Sequence, residues 1–318
     1  ENCKNDFNSI KDSIDINKKN YAYLGRVINF LLLGEFGPSS LKSLTGGKIN
    51  FNDPNKELFD FKMEFENDAV NLNLNVNEID ELKINKVIYI DNIQVLGFKI
   101  RNTPNGIVIN NNSSPYHSIS LIENLIQEQS YNSVALEEIY IKYKKKFETE
   151  LYDMIGGLFE FDNEKNEFTF RTNGDIYDVR NIASGYKQMG LIQLLLSNKS
   201  ISEGTWLIID EPEVNLHPGL QIKLVKLLVD MAKELNVKIY LNSHSPFIIE
   251  AMEVYCKKEK MDDNVSFFLT KPVDENKKKF NISEIDMANL NEIYENLADP
   301  YHILNSVRFE TDWKDEFE

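Results

Sequence analysis

The spacing of apolar residues changes character three times along the chain. Residues 8–33 have helical spacing and end in Val27-Ile28-Asn29-Phe30-Leu31-Leu32-Leu33, which Gly34, Gly37 and Pro38 then break. Beyond Gly46-Gly47 the texture is strict alternation. Phe59, Phe61, Met63 and Phe65 alternate with polar residues, and so do Leu72, Leu74 and Val76. Period two predicts half-buried strands, here antiparallel. Lys86 to Ile90 predicts a more buried strand, and the Asn- and Pro-rich segment 102–114 a loop. Helical spacing returns at 118–130 and 134–154. Leu158 to Phe161 and Glu167 to Phe170 flank Asp162-Asn163-Glu164-Lys165-Asn166, a hairpin candidate.

After residue 180 buried strands alternate with helices. A helix over 188–197 leads to the apolar run Trp206-Leu207-Ile208-Ile209. A second helix over 218–235 leads to Val237-Lys238-Ile239-Tyr240-Leu241. This order predicts a parallel α/β sheet. Val265 to Leu269 is a further strand candidate, followed by a polar loop, a helix near 288–297 and an acidic tail.

Composition narrows the class. The chain has 318 residues, 42% of them apolar, with Lys+Arg 35 against Asp+Glu 51 and a net charge of −16. That excludes an acidic disordered chain, a collagen-like chain and a disulfide scaffold. The acidic balance weighs against unaided binding of bulk nucleic acid, because neutralising phosphates takes clustered Lys and Arg. Lys outnumbers Arg 30 to 5, which fits an AT-rich coding bias. Lys144-Lys145-Lys146 and Lys277-Lys278-Lys279 are expected to be solvated faces. The cysteines, Cys3 and Cys256, are too few for a framework, so a reducing cytoplasm fits best. No apolar run has membrane-spanning length, and the start, Glu1-Asn2-Cys3-Lys4, is neither a signal peptide nor a natural initiation site.

Candidate chemistry lies in the last part of the chain. Trp206 to Ile209 runs into Asp210-Glu211-Pro212, a strand ending in two carboxylates. Ligands of open α/β sheets bind beyond the carboxyl ends of strands. There Asp210 could hold a hydrated Mg²⁺, and Glu211 could polarise a water for attack on phosphate. The plainer reading is two acids that end a strand at solvent. Asn242-Ser243-His244-Ser245-Pro246 ends the next predicted strand and brings His244 toward the acids if those strands are neighbours. Upstream, Ala183-Ser184-Gly185-Tyr186-Lys187-Gln188 opens a helix. Its free N–H groups suit a phosphate, and an ordinary N-cap serine suits the same pattern. Glu213-Val214-Asn215-Leu216-His217-Pro218 forms a polar turn with Pro218 at a first helical position.

In this order the four segments resemble the C-terminal half of an ABC-type ATPase. Ala183-Ser184-Gly185 resembles its signature motif, Leu207 to Glu211 its Walker B strand, Glu213 to Pro218 its D-loop and His244 its switch histidine. The wording Asp-Glu-Pro-Glu-Val-Asn-Leu-His-Pro is similar to prokaryotic AAA-type ATPases related to the ATPase domain of OLD-family nucleases, and more distantly to RecF and SMC proteins. The close resemblance covers about residues 180–250. It implies an α/β, P-loop NTPase-like ABC ATPase core with a mainly parallel sheet, an antiparallel β arm and a helical subdomain. The implied organisation is residues 1–39 as the first part of the core, 40–115 as the β arm, 116–180 as the helical subdomain with its hairpin, and 181–318 as the second part of the core.

The resemblance further implies ATP and Mg²⁺ as cofactors and a head-to-tail homodimer closed by ATP. Glu211 would be the general base, Asp210 the Mg²⁺ holder and His244 the γ-phosphate sensor. Ser184 and Gly185 would act on nucleotide across the dimer, with Asn215 and His217 crossing the interface. Many such proteins serve prokaryotic defence, with DNA or a nuclease or toxin as partner. The chain departs from the pattern in three places. Tyr186 and Lys187 stand where transporter ATPases usually have Gly and Gln. His217 replaces the usual Asp. No GxxxxGK[ST] occurs; Gly46-Gly47-Lys48-Ile49 lacks the first Gly and the hydroxyl. The expectation is that a Walker A segment precedes Glu1 and that the chain alone is inactive without it. The other readings are a nucleotide-sensing subunit that hydrolyses nothing, and a degenerate ATPase. Gln94 is a weak candidate for the Q-loop. A nuclease domain is not expected, since 74 residues follow His244.

Overall fold

The computed structural model describes residues 48–51, 60–66, 69–75, 86–103, 106–109, 116–130, 134–273, 280–298 and 304–307. The expected helix 8–33, Gly46-Gly47, the Lys277 to Lys279 run and the acidic tail lie outside these residues. The chain divides into two compact units, Glu1–Ile208 and Ile209–Glu318.

The first unit carries the predicted alternating strands. They are β1 (Lys48–Phe51), β2 (Asp60–Glu66) and β3 (Ala69–Asn75), an antiparallel sheet in the order β1-β2-β3 with Phe61 opposite Leu74 and Met63 opposite Leu72. Next comes β4 (Lys86–Ile90), which buries Ile88 and Ile90. The segment expected as a loop holds a hairpin instead, β5 (Ile100–Thr103) paired with β6 (Gly106–Ile109). Ile100, Ile107 and Ile109 are buried, and that apolar driving force outweighs the turn-forming Asn residues around them.

Helices α1 (Tyr116–Ile126) and α2 (Val134–Ile155) follow. Tyr140, Phe147, Leu151 and Ile155 form the buried stripe of α2, at helical spacing. Lys145 and Lys146 are exposed, as a solvated face would be, whereas Lys144 is half-buried and pairs with Glu148 at 3.5 Å. The expected hairpin is present as β7 (Leu158–Asp162) and β8 (Glu167–Thr172), extended by β9 (Asp175–Asp178). Asp178 caps the short turn Val179–Asn181, and the Arg180 guanidinium holds its carboxyl down to about 2.

Helix α3 (Ser184–Ser197) starts four residues earlier than its spacing suggests. Met189, Leu191, Ile192 and Leu194 to Leu196 are all buried. Two devices fix it on β7. Gln193, only 1% exposed, accepts the Phe159 N–H at 2.8 Å and donates to the Gly157 carbonyl at 3.3 Å. A buried amide must find such partners. Gly190 lets the Phe159 ring come so close that an added Cβ would lie 2.5 Å from it. The buried Tyr140 hydroxyl donates to the Leu196 carbonyl and ties α2 to α3.

Strand β10 (Thr205–Asp210) crosses the division at Ile208 and Ile209. Its last residues lie beside β11 (Lys238–Asn242) in the second unit. The apolar runs at 206–209 and 237–241 were expected to be buried throughout. They alternate instead: Leu207 and Ile209 are buried, whereas Trp206 is 37% and Tyr240 57% exposed.

The second unit is built on α4 (Pro218–Leu235) and α5 (Pro246–Glu259). Val225 and Val229 of α4 pack with Ile248, Ala251 and Cys256 of α5. Burial pushes the free Cys256 thiol up to about 11, so it stays neutral. The polar loop expected after residue 269 is interrupted by a strand. β12 (Phe267–Pro272) pairs with β13 (Phe280–Ile285), and Phe267 and Ile285 pack with Leu290 and with Ile293 of the helical residues 291–298 that follow it. No helix among the described residues is long and apolar enough to cross a membrane.

Candidate functional site

Strand β10 delivers two carboxylates to its carboxyl end. Asp210 is its last residue, and its Oδ1 accepts the Asn242 side-chain N–H at 2.7 Å. Asn242 is the last residue of β11, so the ends of the two strands are tied side chain to side chain. The Glu211 N–H donates to the Asn242 carbonyl at 2.8 Å. Glu211 itself lies at φ +46°. A left-handed glutamate is strained by roughly 1–3 kcal/mol, a cost usually met where function demands a particular aim. Pro212 then ends the strand.

His244 follows β11 by two residues. Its Nε2 lies 3.8 Å from Glu211 Oε1, too far for a hydrogen bond but within reach for charge interaction when the ring is protonated. The His244 side chain is 77% and that of Glu211 50% exposed, so both are open to a ligand. Three candidates named from the sequence, Asp210, Glu211 and His244, thus share one rim of the second unit.

The turn after Pro212 carries Asn215 at φ +62°, a conformation asparagine tolerates, and then His217. His217 is the N-cap of α4, where its Nδ1 accepts the Gly219 N–H at 3.2 Å. Both side chains are exposed. In the first unit Ser184 is the first residue of α3 rather than its N-cap. Ala183 holds the cap position and supplies no side-chain bond. Gly185 is buried one residue further on. The Ser184 and Gly185 N–H groups lie in the first turn, where no intrahelical carbonyl reaches them. Gln94 is exposed in the turn Ile93–Gly97, its N–H held by Asn92 Oδ1 at 2.7 Å.

Sequence reasoning missed Glu213. Its Oε2 accepts the Ser243 hydroxyl at 2.8 Å and its Oε1 the His244 N–H at 2.6 Å. It also missed the buried pair Ser245 and Gln221, joined at 2.6 Å. All three residues lie in or beside the motifs, yet their partners are about 30 or 24 positions away, which a single sequence does not reveal.

Among the described residues no cluster of three or more His, Cys, Asp or Glu has metal-holding geometry. Asp210 alone fits a cation that keeps most of its water and takes its remaining ligands from phosphates, as Mg²⁺ does.

A strand ending in two acids, beside a strand whose following loop carries a histidine, places the candidate site at the carboxyl ends of two strands, where α/β proteins bind their ligands. The chain belongs to the family described as "AAA domain, putative AbiEii toxin, Type IV TA system", which matches residues 5–250. An AAA-type domain is the class that the motifs resemble. No curated protein matches the chain. Solved structures resemble it weakly. An Smc head bound to the C-winged helix domain of ScpA has a TM-score of 0.47 at 11% identity, covering 88% of this chain and 90% of that one. An Smc head from Pyrococcus furiosus, with an extended coiled coil bound to the C-terminal domain of ScpA, has 0.33 at 9%, covering 49% and 37%. CbiO1 from Clostridium perfringens, part of the ABC transporter complex CbiONQ, has 0.28 at 16%, covering 72% and 87%. All three scores fall below 0.5, and the family assignment rests on the family match.

Proposed function

We propose that the protein binds Mg-ATP and hydrolyses it to ADP and phosphate as a head-to-tail homodimer. The observation that carries this is the shared rim of Asp210, Glu211 and His244, with Asn242 tying Asp210 to the neighbouring strand. Asp210 would hold Mg²⁺, whose charge offsets that of the phosphates. Glu211 takes a proton from the attacking water. The water oxygen bonds to the γ-phosphorus, the bond to the β–γ bridging oxygen breaks, and ADP leaves. His244 hydrogen-bonds the γ-phosphate. Ser184 and Gly185 of one copy meet the nucleotide of the other through the open start of α3, and Asn215 and His217 border the dimer contact.

Residues 40–115 would be the β arm and residues 116–180 the helical subdomain of such an ATPase. A role in prokaryotic defence in the cytoplasm, on DNA or with a toxin or nuclease, accords with the family. The open start of α3 also fits a second reading, a nucleotide-sensing subunit that lends Ser184 to a chain with its own phosphate loop.

Phosphate release by the full-length protein separates the two. Wild type should turn over Mg-ATP, and Glu211→Gln should lose about 10²- to 10⁴-fold, the usual contribution of a general base, while still binding ATP. Unaltered turnover in Glu211→Gln would remove Glu211 from the chemistry. Absence of turnover in both, with retained ATP binding, would favour the sensing subunit.

A further inference from the structure

We infer that Glu213 is a positioning residue that joins the turn after β10 to the loop carrying His244, an inference that rests on the ATPase reading. One carboxylate spends both oxygens on two consecutive residues of that loop, the Ser243 hydroxyl at 2.8 Å and the His244 N–H at 2.6 Å. Charged acceptors make the stronger hydrogen bonds.

The contacts continue and close on themselves. Ser243 Oγ accepts the Ser245 N–H at 3.1 Å. The Ser245 hydroxyl donates to Gln221 Oε1 at 2.6 Å, and Gln221 Nε2 donates to the Leu216 carbonyl at 2.9 Å. The Leu216 N–H returns to the Glu213 carbonyl at 2.9 Å. Gln221 and Ser245 are buried, so the far side of this ring is shielded from water. The ring therefore holds three pieces in one arrangement: the turn 213–217, the first turn of α4 and the loop 243–245.

His244 enters the ring only through its backbone N–H. Its imidazole stays out of it, 77% exposed and 3.8 Å from Glu211. Glu213 thus fixes where the histidine starts from without consuming its ring nitrogens. Anything that shifts the turn bearing Asn215 and His217 shifts the backbone of His244 as well.

The test uses the full-length protein and the variants Glu213→Ala, Glu213→Gln and Ser243→Ala. Two quantities are read: steady-state kcat and KM for Mg-ATP, and amide hydrogen exchange at His244 and Ser245. Gln can accept the His244 N–H and donate to Ser243 Oγ, so it should keep the ring. Glu213→Ala should lower kcat roughly 10-fold or more, with KM within about twofold, and speed exchange at His244 by a similar factor. Glu213→Gln should restore most of both, and Ser243→Ala, which keeps the carboxylate, should fall between. Unchanged exchange at His244 in Glu213→Ala overturns the inference. So does Glu213→Gln as impaired as Glu213→Ala, because the carboxylate would then act by charge rather than by position. A wild type that never hydrolyses ATP sinks the ATPase reading, and the exchange data still decide whether Glu213 holds the loop.

Discussion

Helices α3 and α4 both begin beside candidate motifs, and they begin in opposite ways. The start of α3 has Ala183 at the cap, no side chain over it, and the Ser184 and Gly185 N–H groups without intrahelical partners. The start of α4 is sealed. Pro218 has no N–H to offer, and His217 Nδ1 takes the Gly219 N–H. Both lie at the positive end of a helix dipole, yet only α3 keeps donors in its first two residues for an anion. A helix start that gives up its cap loses about 1 kcal/mol, and α3 recovers that through its buried length and the Gln193 bonds to β7. Under the proposed function, the contrast suits Ser184 and Gly185 to phosphate contact and His217 to loop shaping.

The largest effect should come from closing the open start. Ser184→Asp places a carboxylate where the γ-phosphate is proposed to sit. Hydrolysis should fall on the order of 100-fold or more, the usual cost of losing a phosphate-facing donor site. The melting temperature should hold or rise, since an acid in the first turn stabilises a helix by about 0.3–1 kcal/mol. Phosphate release and a melt on the same sample check both, and undiminished turnover would remove α3 from the nucleotide site.

A middle-sized effect should come from unseating α3. Gly190→Ala improves helix propensity but drives a methyl into the Phe159 ring at 2.5 Å. Overpacking of this kind costs roughly 1–3 kcal/mol, and denaturant melts should show a net loss. A gain in stability would mean that α3 can slide on β7, and the Gln193 bonds would then not define its position.

The smallest effect should come from opening the sealed start. His217→Ala should cost about 1 kcal/mol by loss of the cap, and His217→Asn should recover most of it. If Asn restores stability but not ATP affinity, the imidazole meets nucleotide as well as capping α4.

These features differ in how far the sequence reveals them. Alternation marks β2 and β3, helical spacing marks α2, and Pro218 marks the start of α4, because each is a local preference with a local signature. The start of α3 is legible from Ala183 to Gln188 except for its cap, which Ala183 holds in place of the expected serine. Strands β5 and β6 are hidden because three apolar residues, Ile107 to Ile109, stand among asparagines and only tertiary burial makes them a strand. At the site, Asp210, Glu211 and His244 are legible from strand ends. The Glu213 ring is not, because hydrogen bonds between residues 30 positions apart exist only once the strands are neighbours.

The most direct test of the central claim is light scattering of the Glu211→Gln full-length protein with and without Mg-ATP. The account predicts that mass doubles when Mg-ATP is added and returns to the starting value when Mg²⁺ is chelated. An unchanged mass in saturating Mg-ATP would contradict an ATP-closed dimer with Glu211 as its general base.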